Sequence, residues 1–358
     1  MRKGRAAVLR LHLGVALLTG AGLLLVSVSG AALVFRPELD DAVFGGAPRV
    51  APSRGRAPLP ALVAAGQAAH PGLTPVGLTL PEGEGHPARL RLERAGGEIV
   101  EVLLDPGSAR VLASRWIERS PLHALRALHT ELYLGGRGRL VVSALGLLLV
   151  LQGATGLFLW WPFTRRPSRA FTIRRGRRWS VLAYDAHKVA GIGALAVNLV
   201  LALTGALLAV SAAARHETAA PIREPGALGL DDAVARATAV LPPAPVESLR
   251  FVGAAVEVRT RDGSAARVDG GAGGPPTVVA DRRRPGDRLW ALVPALHEGR
   301  LGGPAVRWLY LLAGLAPAVL AVTGIAIWLG RPRARAAAGT DQTGQASRRQ
   351  PISQNIHS

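Results

Sequence analysis

The sequence predicts a membrane α-helical fold: four transmembrane helices arranged as two parallel helix–domain–helix repeats, each enclosing a small α+β domain. Three observations predict it. Residues 11–35, 140–164, 189–214 and 308–330 contain no charged side chain, and each run exceeds the ~20 residues a helix needs to cross ~30 Å of hydrocarbon. Arginine and lysine are segregated into the segments that alternate with two long, nearly charge-balanced ones. Motifs of the first half also return in the second. Leu128-His129, Gly135, Gly146-Leu147, Thr155-Gly156 and Trp160 match Leu296-His297, Gly303, Gly314-Leu315, Thr323-Gly324 and Trp328 at an offset of 168 residues, and His12, Gly30 and Ala31 match His187, Gly205 and Ala206 at 175.

Taken in order, residues 1–10 are a basic N-terminus and 11–35 the first span. The small-residue run Ser29-Gly30-Ala31-Ala32 resembles a signal-peptide cleavage site, but the apolar stretch outlasts a signal h-region of ~7–15 residues and copies the third span in its spacing. Residues 36–138 form the first domain, with helix-like 60–69, strand candidates 88–94, 98–104 and 110–114, and a turn at Asp105-Pro106-Gly107-Ser108. The second span covers 139–163 and the basic loop 164–187. The third span covers 188–213. The second domain, 214–303, carries an amphipathic helix at 231–240, strand candidates 248–252 and 255–259, a turn at 261–264 and a glycine-rich loop at 270–276. The fourth span covers 304–330, and 331–358 is a polar tail expected to be disordered.

The N-terminus, residues 164–188 and the tail hold 17 basic residues against two acids, Asp185 and Asp341. The positive-inside rule places these in the cytoplasm and both domains outside, with N and C termini inside. The net charge of +19 is therefore topological. It points to anionic lipid, or to an acidic electron donor on the 165–178 loop, and away from nucleic acid. With no cysteine in the chain, disulfides, thiolate chemistry, iron–sulfur clusters and cysteine-ligated or covalently attached haem are excluded. No phosphate-binding glycine loop, zinc-protease motif, serine elbow or flavin or nicotinamide fingerprint is present.

The histidines carry the functional signal. His12 and His187 each precede a small-residue–glycine pair by the same interval, 18 residues to Gly30 and Gly205; His129 and His297 precede Gly156 and Gly324 by 27. The topology puts His12 and His187 at the cytoplasmic face and His129 and His297 at the outer face. Repeat symmetry about an axis along the membrane normal would bring each pair together, which suits two bis-histidine haem b sites. Eighteen residues rise about 27 Å in a helix, so the four glycines lie near the depth of the opposite pair, where a missing side chain would admit a flat macrocycle or simply allow helix packing. His123 and His216 are alternative outer ligands. His70, His86 and His357 are expected to face solvent. Trp160, Trp161, Trp308 and Trp328 read as an interfacial belt, and Arg282-Arg283-Arg284 as an outside basic run able to attract an anion.

The N-terminal Leu-His-x-Gly, the helix–strand module ending near Asp105-Pro106, the Leu-His…Thr-Gly…Trp series, the second His…Thr-Gly helix and the final Leu-His-Glu-Gly…Thr-Gly…Trp resemble the PepSY-associated transmembrane family over roughly residues 8–332. Its members include iron-regulated inner-membrane proteins and ferric-siderophore reductases. The resemblance implies PepSY-like periplasmic domains and a di-haem b electron-transfer protein of the bacterial inner membrane. Such a protein would take electrons from a quinol or a cytoplasmic reductase and pass them from the haem edge to a periplasmic ferric siderophore. The alternative is a non-enzymatic PepSY-domain sensor or accessory protein whose histidines are structural. A transporter fits less well, because the spans carry no charged residue of the kind a pathway needs.

Overall fold

The computed structural model describes residues 2–44, 46, 48–51, 55–81, 83–161, 171–174, 178–217, 229–270, 276–281 and 285–330. The first half runs through α1 (Arg2–Leu33), α2 (Arg36–Phe44), α3 (Leu59–Ala69), β1 (Thr74–Thr79), β2 (Ala88–Glu93), β3 (Ile99–Leu104), β4 (Val111–Trp116), α4 (Pro121–Glu131) and α5 (Gly135–Trp160). The second runs through α6 (Trp179–Gly193), α7 (Leu195–Glu217), α8 (Leu230–Val240), β5 (Val246–Val252), β6 (Ala255–Thr260), β7 (Ala265–Asp269), β8 (Thr277–Asp281), α9 (Pro285–His297) and α10 (Gly303–Leu329).

Four helical stretches are long and apolar enough to cross a membrane: Lys3–Leu33, Gly135–Trp160, Leu195–Ala212 and Gly303–Leu329. They close into a ring in which α1 packs on α5 and α10, α5 on α7, and α10 on α6. Their outward leucines, such as Leu18 at 79% and Leu312 at 67% exposure, are stable only against lipid. Small residues set the crossings. A side chain at Gly146 would fall 2.9 Å from the Ala202 carbonyl and 3.2 Å from Ala206, and Gly314 stands equivalently against Ala31 at 3.8 Å. The third span, expected as one helix over 188–213, is broken at Ala194, where α6 ends and α7 begins. α10 keeps Pro317 in its interior, a substitution that neighbouring helices make tolerable in lipid.

The two small α+β domains expected from the sequence are instead halves of one. All eight strands form a single antiparallel sheet in the order β4-β3-β2-β1-β5-β6-β7-β8. Leu78 of β1 pairs with Leu249 of β5 at the seam. Each seam strand carries a bulge at the same place, between Pro75 and Gly77 in β1 and between Val246 and Ser248 in β5. Separate four-stranded sheets would leave both strands with unpaired backbone groups along an edge, and pairing them satisfies both. α3 and α8 lie on the same face, and Leu62, Leu90, Val102, Leu249, Phe251 and Val258 are buried in one shared core. Asp231, at the start of α8, accepts a hydrogen bond from the Leu59 amide at the start of α3 (3.3 Å), so the second half also caps a helix of the first.

β1, β7 and β8 have no counterpart among the expected strands. The glycine-rich loop falls largely, and Arg282 to Arg284 and the tail entirely, outside the described residues.

The sheet meets the bundle through α2, α4 and α9. α4 packs on α1 and α5, and α9 on α7. Glu38 of α2 pairs with Arg307 at the start of α10 (2.6 Å), while Asp40, on the same helix, pairs with Arg115 of β4 (3.2 Å). Arg115 also binds Glu101 of β3 (2.6 Å), on the sheet face opposite α3 and α8. That open face is therefore turned toward the bundle end that carries α4 and α9.

Candidate functional site

Each histidine singled out above sits on a helix facing its counterpart. His12 of α1 and His187 of α6 have ring centroids 6.4 Å apart. His129, in the last turn of α4, and His297, the final residue of α9, have centroids 6.1 Å apart. The two pairs occupy opposite ends of the bundle: the first is distal to the sheet, the second adjacent to it. α4 and α9 are short amphipathic helices laid on the bundle, which is how two histidines separated by arginines from the apolar runs still reach between its helices. His123 lies two turns before His129 on α4 and takes no place in either pair. The side chain of His216 lies outside the described residues.

The four glycines meet the histidines themselves. A methyl group at Gly30 would lie 2.5 Å from His129 Cε1, and one at Gly205 2.8 Å from His297 Cε1; at Gly156 and Gly324 the distances to His12 and His187 Cε1 are both 3.5 Å. The clearance expected for a macrocycle is in this structure the seat of an imidazole ring, tight at the sheet-proximal pair and ordinary at the distal one.

Beside three of the glycines a threonine completes the seat. His12 Nδ1 lies 2.8 Å from Thr155 Oγ1, His187 Nδ1 2.9 Å from Thr323 Oγ1, and His297 Nδ1 3.0 Å from Thr204 Oγ1. Each hydroxyl donates its single proton back to its own helix, Thr155 to the Leu151 carbonyl (2.8 Å), Thr323 to Val319 (2.6 Å) and Thr204 to Val200 (2.6 Å). Those oxygens can then only accept, so the neutral imidazole carries its proton on Nδ1. The fourth case reaches the same end differently. Ser29 turns its hydroxyl to the Leu25 carbonyl (2.6 Å), and His129 Nδ1 donates to the Val26 carbonyl instead (2.8 Å). All four rings thus present an unprotonated Nε2, the arrangement in which a metal-ligating histidine is oriented by a bond from its other nitrogen.

A cavity of about 1030 Å³ opens around the distal pair, lined by His12, His187, Gly156, Gly324, Gln152 and Trp160 among others. This lies at the upper end of the ~300–1,000 Å³ typical of ligand and cofactor sites. Gln152 Oε1 and Trp160 Nε1 are buried in its wall without a hydrogen-bond partner among the described residues, a cost that a bound polar group would remove. Thr172 and Arg174, in the segment before α6, form part of its lining. There the backbone N–H of Arg174 donates to Asp185 Oδ2 (3.1 Å) and its guanidinium binds both carboxylate oxygens (2.8 and 3.1 Å), with Lys188 Nζ at 3.4 Å. These bonds pull the Asp185 carboxyl down to about 2. Arg5 of α1 bonds the Leu159 carbonyl at the same end.

Among the described residues no group of three or more histidine, aspartate or glutamate side chains could hold a bare metal ion. The sites are pairs. Two imidazoles ligating one metal on a common axis would have ring centres about 6.3 Å apart, from metal–nitrogen bonds of about 2 Å and about 1.1 Å from nitrogen to ring centre; the observed 6.4 and 6.1 Å bracket that value. Spacing, free Nε2 lone pairs and the orphaned polar atoms of the cavity fit a group that brings its own equatorial ligands, as haem does.

Sequence reasoning used the threonines only as markers of spacing, and did not find their role as hydrogen-bond acceptors for the histidines. It also missed the Asp185–Arg174 ion pair and Asn198, a buried amide lining the cavity. A lone asparagine within an apolar span was the available signal for the last.

Fold and site together define a multi-pass helical membrane protein with a histidine pair at each end of its bundle. Residues 9–331 match the model of the PepSY-associated TM region, and the chain belongs to that family. No curated protein matches the sequence.

Proposed function

We propose that this chain is a di-haem b electron-transfer protein of the bacterial inner membrane. In this reading it takes electrons from quinol or a cytoplasmic reductase and reduces a ferric siderophore or other ferric chelate in the periplasm. The observation that carries the reading is the fourfold repetition of one seat: a ring against a glycine, Nδ1–H given to an oxygen, Nε2 bare, and a second such ring about 6 Å away. His12 with His187 would hold one group near the cytoplasmic face, and His129 with His297 one near the periplasmic face. Haem b, when bound, supplies one-electron chemistry. Three threonines, and the Val26 carbonyl for His129, keep each ring from rotating and fix its tautomer, Gln152 and Trp160 offer polar contacts at the distal site, and the Asp185-bound loop limits entry of water from the cytoplasm.

The basic segments support an N-in, C-in orientation with the sheet in the periplasm. The doubled element order and the mirrored strand order about the β1–β5 seam support two parallel repeats around an axis along the membrane normal.

The purified protein, expressed with ample haem, should show a sharp low-spin b-type band on dithionite reduction, with two haems per chain. A folded, colourless preparation would overturn the reading in favour of a sensor or accessory role. His12→Ala, His187→Ala, His129→Ala and His297→Ala should each lose about one haem equivalent.

A further inference from the structure

The open face of the sheet carries an arrangement that the histidine sites do not explain. At the seam its floor is made of small residues, Gly77 and Thr79 of β1 and Ser248 of β5. Four arginines surround that floor. Across the strands, Arg91 of β2 is opposite Gly77, which is opposite Arg250 of β5; one step along, Arg89 of β2 is opposite Thr79, which is opposite Ser248, itself opposite Arg259 of β6. With strands about 4.8 Å apart, the two guanidinium-bearing positions nearest the seam, Arg91 and Arg250, stand roughly 10 Å apart across a glycine. Gly77 has backbone rather than open space beneath it, since a side chain there would sit 3.2 Å from the Leu249 carbonyl.

The charges on this face are unevenly matched. Glu101 is taken by Arg115 at 2.6 Å, with Arg91 further off at 3.6 Å. Glu257 pairs with Arg259 at 3.1 Å and Asp269 with Arg267 at 3.2 Å, while Glu93 stands at the far end of β2 opposite Thr74. Arg89 and Arg250 have no hydrogen bond or ion pair among the described residues. Arginines on a sheet face are ordinarily solvated, but here the face is turned toward the bundle end that holds His129 and His297. Clustered guanidiniums raise the local concentration of anions.

We infer that this face is an anion-binding site on the axis of the molecule, and that the acceptor it presents to the sheet-proximal histidines is a small metal chelate of net negative charge. Carboxylate-rich chelates match both the charge and the forked geometry of guanidinium; a cationic or neutral chelate would gain nothing from the cluster. The inference rests on the reading of the sheet-proximal pair as the electron-delivering end, but binding at the cluster is measurable without electron transfer.

The test uses the full-length protein in detergent with gallium(III) citrate, a redox-inert anionic chelate, titrated by calorimetry at two salt concentrations. Arg89→Gln/Arg250→Gln should weaken binding roughly 10- to 100-fold, the size expected for two lost hydrogen-bonding contacts on a solvent-facing surface, and flatten the salt dependence. Arg236→Gln, on α8 beyond the opposite face, should bind as the unmodified chain does, and the haem spectrum of the double variant should be unchanged. Absence of binding to the unmodified chain, equal binding by the double variant, or equal loss in Arg236→Gln would each overturn the site. Binding by a chain that takes up no haem when expressed with ample haem would keep the anion site and remove the electron-transfer reading.

Discussion

At the scale of single residues, the two histidine pairs differ in how tightly their glycines close on them, and this gives them different tolerances. Alanine is favoured over glycine in a helix by up to about 1 kcal/mol. At Gly156 or Gly324 the new methyl would make ordinary contact at 3.5 Å, whereas at Gly30 it would press to 2.5 Å on an imidazole. Under the proposed di-haem reading, Gly156→Ala should therefore leave the haem-to-protein ratio at two, and Gly30→Ala should lower it toward one; equal loss in both would show that the glycines do not seat the rings. The threonines allow a subtler test. Thr155→Val would remove the hydroxyl that accepts the His12 Nδ1–H while keeping the shape of the side chain. A bond from Nδ1–H makes the ligand more basic and so favours ferric iron. Losing it should raise one midpoint potential by on the order of tens of millivolts, the worth of one hydrogen bond in a one-electron couple, with haem content unchanged, as read by redox titration.

At the scale of elements, the segment before α6 is held by a carboxylate that does not titrate in any physiological range. The Asp185 carboxyl is lowered to about 2 in the folded protein from an ordinary 3.8, so its contribution is complete above that ordinary value and is lost only as pH falls through about 2. Protection of the 171–174 segment from proteolysis should accordingly be flat from pH 8 to pH 5, and Asp185→Asn should abolish it throughout; protection that falls between those pH values would point to another tether. The elements themselves were unevenly legible. The spans were plain, because an uninterrupted apolar run has no other use at that length. α3 and α8 and the strands β2, β3, β5 and β6 showed in their alternation. β1 was hidden by Pro75, Gly77 and a bulge, and β7 and β8 by alanine and glycine. α4 and α9 escaped because each begins at a proline and mixes histidine and arginine into its apolar face, so neither reads as span or as soluble helix. Pairing of the histidines could be read from the repeat. Their hydrogen-bond partners could not, since Thr204 and Ser29 hold matching positions and only one of them reaches a ring.

At the scale of the whole molecule, the shared sheet makes the two halves one cooperative unit. Leu249 lies in the seam and in the common core at 1% exposure, so Leu249→Ala should cost about 2–5 kcal/mol and lower a single thermal transition. Two separable transitions would mean that the halves fold independently. Orientation can be tested with the same economy of means. The chain has no cysteine, so one introduced at exposed Arg236 would be the sole target of a membrane-impermeant maleimide. It should label in intact spheroplasts, and a cysteine at Ser180 should label only after lysis.

The mirrored strand order has a consequence for how the two halves can differ. Two half-length chains meeting edge to edge at β1 would build the same eight-stranded layer about a true twofold axis, and every residue near that axis would then appear twice. A continuous chain is free of that constraint. The counterpart of Arg250 across the seam is Thr79, the counterpart of Thr204 is Ser29, and the position matching Arg126 is Pro294. Joining the halves lets a molecule with a symmetric frame hold an asymmetric lining, so that an object without symmetry of its own can rest on the axis in one orientation.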